Sequence, residues 1–208
     1  TGKENFTRAI EFKGPAYLPC TIAVNLDWLQ DKDESKRARV SALAARLPAD
    51  MLGWVSPEDF GADMGTRNGV HRWKDQWGTG WEDDGHGAKT ETYPLESSYE
   101  ALAGFAFPDP AQATRFDSAD ERLKQRGDCY VQSVVWFTLF ERLWMLRGFN
   151  NMLMDPYTDE ADFCSLRDRV VEYNLAIIDQ WIERGVDAVF FSDDWGSQHT
   201  LLFSPEIW

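Results

Sequence analysis

The chain has 208 residues, a formal net charge of −14 and a hydrophobic fraction of 43%, which suffices for a single domain over residues 1–208. The acidic excess argues against nucleic acid and anionic membranes as partners, because both select basic surfaces. No apolar run approaches a membrane span, no signal peptide opens the sequence, and the three cysteines are far apart, which together favour a cytoplasmic protein.

The first quarter of the chain is predicted to alternate helices with short strands. Thr1 and Glu4 have the spacing of a capping box, which indicates a helix start. Apolar spacing and glycine or proline stops predict a helix over 1–14, a strand over 20–24, a helix over 33–47 and a strand over 50–55. Asn25 follows the first strand directly, where parallel α/β enzymes place polar residues that bind substrate.

Residues 56–110 are rich in Gly, Asp and Pro, and we interpret them as a long irregular insertion over the carboxyl ends of the strands. Within it, residues 70–81 favour a strand or hairpin and residues 89–93 a further strand. Asp75, Trp77 and Thr79 belong to an Asp-x-Trp-Gly-hydroxyl pattern that recurs over 193–197. We interpret the two segments as loops that converge on one pocket. The tryptophans of this quarter either line a ligand surface or fill a core.

The second half of the chain has regular helix and strand signals. A strand is predicted over 129–136, followed by a helix that Thr138 and Glu141 open as a capping box and that ends at Gly148. A long amphipathic helix is predicted to follow Thr158, with an apolar stripe at Phe163, Leu166, Val170, Tyr173, Ile177 and Trp181. The apolar run over 186–191 predicts a buried strand. Strands that alternate with helices indicate a parallel sheet with helical crossovers.

A polar cluster directly follows this last strand. Asp193 and Asp194 are adjacent carboxylates, and Trp195 and Gln198 come next. In parallel α/β proteins the chemistry lies at the carboxyl ends of strands, so these residues form a candidate site. An aspartate in such a place is also a common helix cap, and a structural role for one of the two stays open.

The sequence resembles the uroporphyrinogen decarboxylase-like family, and more closely its corrinoid-linked methyltransferase branch. The resemblance runs nearly end to end and rests on the order and spacing of several segments. These are the opening Thr-Gly-Lys-Glu-Asn-Phe-Thr-Arg-Ala-Ile with Pro19, then residues 75–81, 93–95, 107–110, 140–141, 147–148, 185–187, 193–198 and 204–208. The resemblance implies an α/β fold of the TIM-type (β/α)8 barrel family, of which this chain would cover about the first half, with a long β-containing insertion.

The methyltransferase branch implies that a methyl group moves between a corrinoid or methylated small molecule and an acceptor. In that hypothesis Asp193 and Asp194 are catalytic, and Asn25, Asp75, Trp77, Trp195 and Gln198 bind the substrate. The complete protein would use zinc and a corrinoid, with a corrinoid protein as partner. The family's zinc ligands, a His-x-Cys pair and a later Cys, do not occur in these 208 residues, so we assign no metal ligand or cofactor to this chain.

Two alternatives stay open. The first is metal-free decarboxylation of a tetrapyrrole-like or other carboxylated substrate, although residues 22–27 lack the arginines that the decarboxylases carry at this place. The second is a non-catalytic half-barrel, either a binding module or a fragment, that pairs with itself or with the second half of the barrel through an exposed sheet edge.

Overall fold

The computed structural model describes residues 1–19, 34–44, 46 and 50–207. The predicted strand over 20–24 and Asn25 lie outside these residues. The helices are α1 (Gly2–Ile10), α2 (Glu34–Ala44), α3 (Asp117–Lys124), α4 (Phe140–Arg147), α5 (Phe149–Thr158) and α6 (Glu160–Glu183), with a 3₁₀ helix at Tyr99–Gly104. The strands are β1 (Met51–Val55), β2 (Ala62–Arg67), β3 (Val70–Lys74), β4 (Gly80–Asp83), β5 (Lys89–Thr92), β6 (Tyr130–Val135) and β7 (Ala188–Phe191).

The chain divides into two compact units. Unit 1 comprises Thr1–Ser56, Ser118–Val134 and Arg184–Phe190, and unit 2 comprises Pro57–Asp117, Val135–Glu183 and Phe191–Trp208. The last residue of β6 and the last residue of β7 belong to unit 2, so each of these strands leads from unit 1 into unit 2.

The three-stranded sheet has the order β1-β6-β7. Strands β1 and β6 are parallel, with Trp54 opposite Gln132 and Val55 opposite Ser133. Strand β6 is central, and its apolar residues Val131 and Val134 are buried, as expected for a parallel strand that is covered on both faces. The predicted strands over 50–55, 129–136 and 186–191 are therefore confirmed, within two residues at each end. The burial predicted for the last of them is wrong, because Phe190 and Phe191 of β7 are 36% and 49% exposed.

The predicted half of a TIM-type barrel is wrong. The described residues form one three-stranded parallel sheet and a separate four-stranded antiparallel sheet, and no closed barrel. The four strands of the antiparallel sheet follow one another through short turns, and short turns can join only antiparallel neighbours. A (β/α)8 barrel instead needs a helical crossover between each pair of successive strands. The positive φ angles of Asn68 (54°) and Gly69 (79°) make one such turn between β2 and β3.

The antiparallel sheet has the order β2-β3-β4-β5 and lies within residues 56–110. Strands or hairpins were expected over 70–81 and 89–93, and β3, β4 and β5 confirm them. Strand β2 was not expected, because its sequence Ala-Asp-Met-Gly-Thr-Arg has no apolar alternation and all six residues are exposed. Strand β2 is stabilised instead by antiparallel pairing with β3, to which the Asn68-Gly69 turn connects it.

Helices α4, α5 and α6 build the core of unit 2. The stripe predicted for α6 is confirmed at Leu166, Val170, Ile177 and Trp181, which are buried. Helix α4 ends at Gly148 as expected, where φ is 82°. Helix α5 was missed because Pro156 lies inside it, and Thr158 therefore ends α5 instead of opening α6. Among the described residues, no helix combines the length and apolar character needed to cross a membrane.

Candidate functional site: carboxylates around helix α4

The loop after β7 places Asp193 at the first turn of α4. Its Oδ2 accepts hydrogen bonds from the backbone N–H groups of Leu139 (3.1 Å) and Phe140 (2.8 Å), and its Oδ1 accepts one from Glu141 (2.8 Å). The indole Nε1 of Trp195 also donates to Oδ2, at 2.7 Å. A carboxylate in this position satisfies N–H groups that have no partner inside the helix and interacts favourably with the helix dipole.

Thr138 does not cap α4, contrary to the capping-box prediction. Its hydroxyl donates to the backbone oxygens of Val135 and Ser192, at 3.1 and 3.0 Å, and so joins the residues that follow β6 to those that follow β7. The backbone N–H of Thr138 donates to the same oxygen of Ser192. The cap of α4 is supplied by Asp193, which follows a different strand.

Glu141, on the first turn of α4, is the titratable group that this arrangement perturbs most clearly. Partial burial, followed by the negative charges of Asp194 and Asp193, raises the pKa of Glu141 to about 7. The charge of Arg142 and a hydrogen bond from the backbone N–H of Asp194 act in the opposite direction. Glu141 therefore titrates near neutral pH, which is the condition for a group that both takes up and releases protons.

Asp75 is buried and pairs with Arg142, the residue that follows Glu141 in α4. Its Oδ2 lies 2.9 Å from NH1 of Arg142, and it also accepts from the indole Nε1 of Trp81 at 3.3 Å. Its Oδ1 accepts the backbone N–H groups of Trp77 (2.9 Å) and Thr79 (3.0 Å). All of these contacts organise the turn between β3 and β4 and anchor it to α4.

The two Asp-x-Trp-Gly-hydroxyl segments thus meet at α4. One of them caps its first turn through Asp193, and the other binds Arg142 through Asp75. The side chain of Thr79 adds a third link, since its hydroxyl donates to the backbone oxygen of Met145 at 2.9 Å.

The other predicted substrate-binding residues have different environments. Trp77 is only 3% exposed and packs edge-on against Phe107 and Tyr173, so it belongs to the core of unit 2. Trp195 is 48% exposed, and Gln198 is exposed in the turn that the Gly196–Leu201 bridge closes. Asn25 lies outside the described residues.

Glu141 and Arg142 were missed as functional residues. Glu141 was interpreted as a member of a capping box and of one segment of the resemblance, with no catalytic role, and Arg142 was not singled out. Their roles depend on Asp193, Asp194 and Asp75, which lie more than fifty residues away along the chain. The signal that could have indicated them is that titratable residues follow both predicted parallel strands, Glu141 and Arg142 shortly after the first and Asp193 and Asp194 after the second.

The zinc implied by the resemblance does not fit the described residues. In ranges 1–19, 34–44 and 50–207, no three His, Cys, Asp or Glu side chains are grouped so that they could hold a metal ion. We therefore derive no step through zinc.

Comparison with known proteins adds no assignment. No protein-family model, curated protein or solved structure matches this chain.

Proposed function

We propose that this chain carries the acid–base group of a methyltransferase, which moves a methyl group from a methylated small molecule or a corrinoid to a small-molecule acceptor. The observation that carries the proposal is the position of Glu141, which lies beside Asp193 and Asp194 where the residues after β6 and β7 meet. This geometry supports proton exchange with a small molecule. The methyl-transfer chemistry comes from the sequence resemblance.

Glu141 would act as the base that activates the acceptor. For a methylated small molecule as donor, the acceptor X–H gives its proton to Glu141 while X forms a bond to the methyl carbon. The bond between the methyl carbon and the donor breaks, and the donor keeps that electron pair. General acid–base catalysis of this kind contributes roughly 10²- to 10⁴-fold to the rate.

Asp193 is a positioning residue in this scheme, because its two oxygens already accept from three backbone N–H groups and from Trp195. Asp194 is exposed and keeps the pKa of Glu141 high by charge repulsion. The exposed indole of Trp195 supplies an apolar surface beside them. The corrinoid protein stays a prediction about a partner, and no described residue is assigned to it.

The decarboxylase alternative needs guanidinium groups that face a substrate carboxylate. The guanidinium beside this site, that of Arg142, is bound to Asp75 and lies over the ring of Trp77 at 4.8 Å. No observation at the site favours that alternative over methyl transfer.

The Glu141→Gln variant tests the proposal, because it keeps the shape of the side chain and removes proton exchange. Methyl transfer is measured from methylcobalamin and from methylated small molecules to a panel of thiol and amine acceptors. We expect a rate that rises through a pKa of about 7 in the unaltered protein and falls by roughly 10²-fold or more in Glu141→Gln.

Two further variants sharpen this test. Asp194→Asn removes a negative neighbour, so the midpoint of the pH profile should move to lower pH. Glu172→Gln, an exposed position on α6, should behave like the unaltered protein. Turnover that Glu141→Gln leaves unchanged would contradict the assignment of Glu141, and no transfer to any acceptor would contradict the proposed activity.

A further inference from the structure

The antiparallel sheet of unit 2 has two chemically different faces. On one face, Arg72 bridges Glu82 and Glu91 at 2.8 and 3.3 Å, and Lys89 pairs with Glu82 at 3.1 Å. These exposed or half-exposed ion pairs form a row of opposite charges on the solvent side of the sheet.

The opposite face carries aromatic rings. His71 lies opposite Asp83 and Trp73 lies opposite Trp81 in the β3–β4 register, so these four side chains share a face. Their rings form a row, with centroids 5.2 Å apart between His71 and Trp73 and 6.0 Å apart between Trp73 and Trp81. The row continues from Trp81 to Phe137 at 5.9 Å.

A cleft of about 410 Å³ lies against this face. Its lining includes four carboxylates, one imidazole and one indole, which are those of Asp59, Asp63, Asp75, Asp83, His71 and Trp73. The volume falls in the range of pockets for small molecules, about 300–1,000 Å³. The backbone is tightly packed at the wall of the cleft, because a Cβ on Gly61 would lie 2.2 Å from the backbone oxygen of Lys74.

The negative charge of the cleft is only partly compensated. Asp75 is paired with Arg142, and Asp63 lies 2.9 Å from the Nε2 of His71. Within the described part of the chain, neither Asp59 nor Asp83 has an ion-pair partner. Loss of surrounding water, together with the charge of Asp75, raises the pKa of Asp59, and the backbone N–H groups of Gln76 and Gly61 and the charge of Arg142 offset this only in part. A cation in the cleft would relieve this uncompensated charge.

The type of cation follows from the arrangement of the lining groups. These carboxylates are not grouped closely enough for three of them to coordinate one metal ion. Indole rings attract organic ammonium ions through the cation–π interaction, and methylated ammonium ions in particular, because these shed water easily. We propose that the cleft is a binding site for a methylated organic ammonium ion of about the size of choline, held against Trp73 and neutralised by Asp59 and Asp83. This proposal does not depend on the proposed methyl transfer, because it concerns binding alone.

Titration calorimetry with choline chloride tests the site, with 3,3-dimethylbutan-1-ol as an uncharged ligand of the same shape. We expect choline to bind roughly two- to fivefold more tightly than the alcohol, which is the gain that a cation–π contact on a half-exposed ring supports. Magnesium chloride at the same concentration should not displace choline.

Matched variants locate the binding. Asp83→Asn should weaken choline binding severalfold, whereas Asp84→Asn, the exposed neighbour outside the cleft, should leave it unchanged. Asp59→Asn and Trp73→Leu should weaken it as well, and the unfolding midpoint of each variant shows whether it folds. Equal binding of choline and the alcohol, displacement by magnesium, no binding by the unaltered protein, or equal effects of Asp83→Asn and Asp84→Asn would each overturn the proposal.

Discussion

At the scale of single residues, Asp193 and Asp194 are neighbours with different tasks. The carboxylate of Asp193 accepts hydrogen bonds from three backbone N–H groups at the start of α4. Asp194 is exposed, and its negative charge raises the pKa of Glu141. The sequence predicted both as catalytic and left a structural role for one of them open. The hydrogen bonds favour Asp193 as that one.

Replacement of Asp193 by Asn tests this difference. An amide has one accepting oxygen, and its NH₂ group would face a backbone N–H of α4, so the cap is partly lost. We expect the free energy of unfolding to fall by about 2 kcal/mol, in line with the loss of hydrogen bonds to a charged group. Urea denaturation measures it. Asp194→Asn is the control and should change stability by less than about 0.5 kcal/mol, and equal losses would argue against the capping role.

At the scale of elements, a buried ion pair holds α4, α5 and the segment before the 3₁₀ helix together. Arg147, the last residue of α4, makes two bonds to Asp155 of α5, at 2.8 and 3.1 Å. Tyr99 donates to the same carboxylate at 2.6 Å, and Arg147 donates to the backbone oxygens of Leu95 and Glu96. Every polar group of this pair therefore has a partner, which is the condition under which a buried pair is tolerated.

The Asp155→Ala variant should leave the Arg147 guanidinium buried without its counter-ion. We expect a loss of about 3–5 kcal/mol in the free energy of unfolding. The exposed Arg167–Asp168 pair provides a matched comparison, because Asp168→Ala should cost less than about 1 kcal/mol. Chemical denaturation of both variants measures the difference, and similar losses would show that the buried pair has no special role.

At the scale of the whole molecule, the net charge of −14 restricts the classes of molecule that the protein can bind. The field of an acidic protein repels phosphate backbones and anionic headgroups, whereas it attracts small cations. We expect no binding of labelled duplex DNA in fluorescence anisotropy and no co-sedimentation with vesicles rich in phosphatidylserine at about 0.15 M salt, where the screening length is about 8 Å. Salt-sensitive binding to either would contradict this expectation.

The local pattern of the sequence determined the elements whose cause is local. The apolar stripe of α6 and the apolar run of β6 are set by side chains three, four or two residues apart, so their positions were predicted within two residues. Local signals failed where tertiary contacts decide. Strand β2 has no apolar alternation and pairs with β3, and α5 continues through Pro156, a residue that locally predicts a helix end.

The acidic charge, most helices and strands, and the polar residues after β7 could be predicted from the residue pattern alone. Three features depend on tertiary contacts: which strands pair within each sheet, the cap that Asp193 places on a helix 53 residues before it, and the pair that Asp75 makes with Arg142 67 residues after it. The raised pKa of Glu141 depends on such contacts as well. The physical reason is that a pKa and a hydrogen-bond partner depend on which charges and donors lie within a few ångströms, and the chain's periodicity carries no information about contacts at that separation.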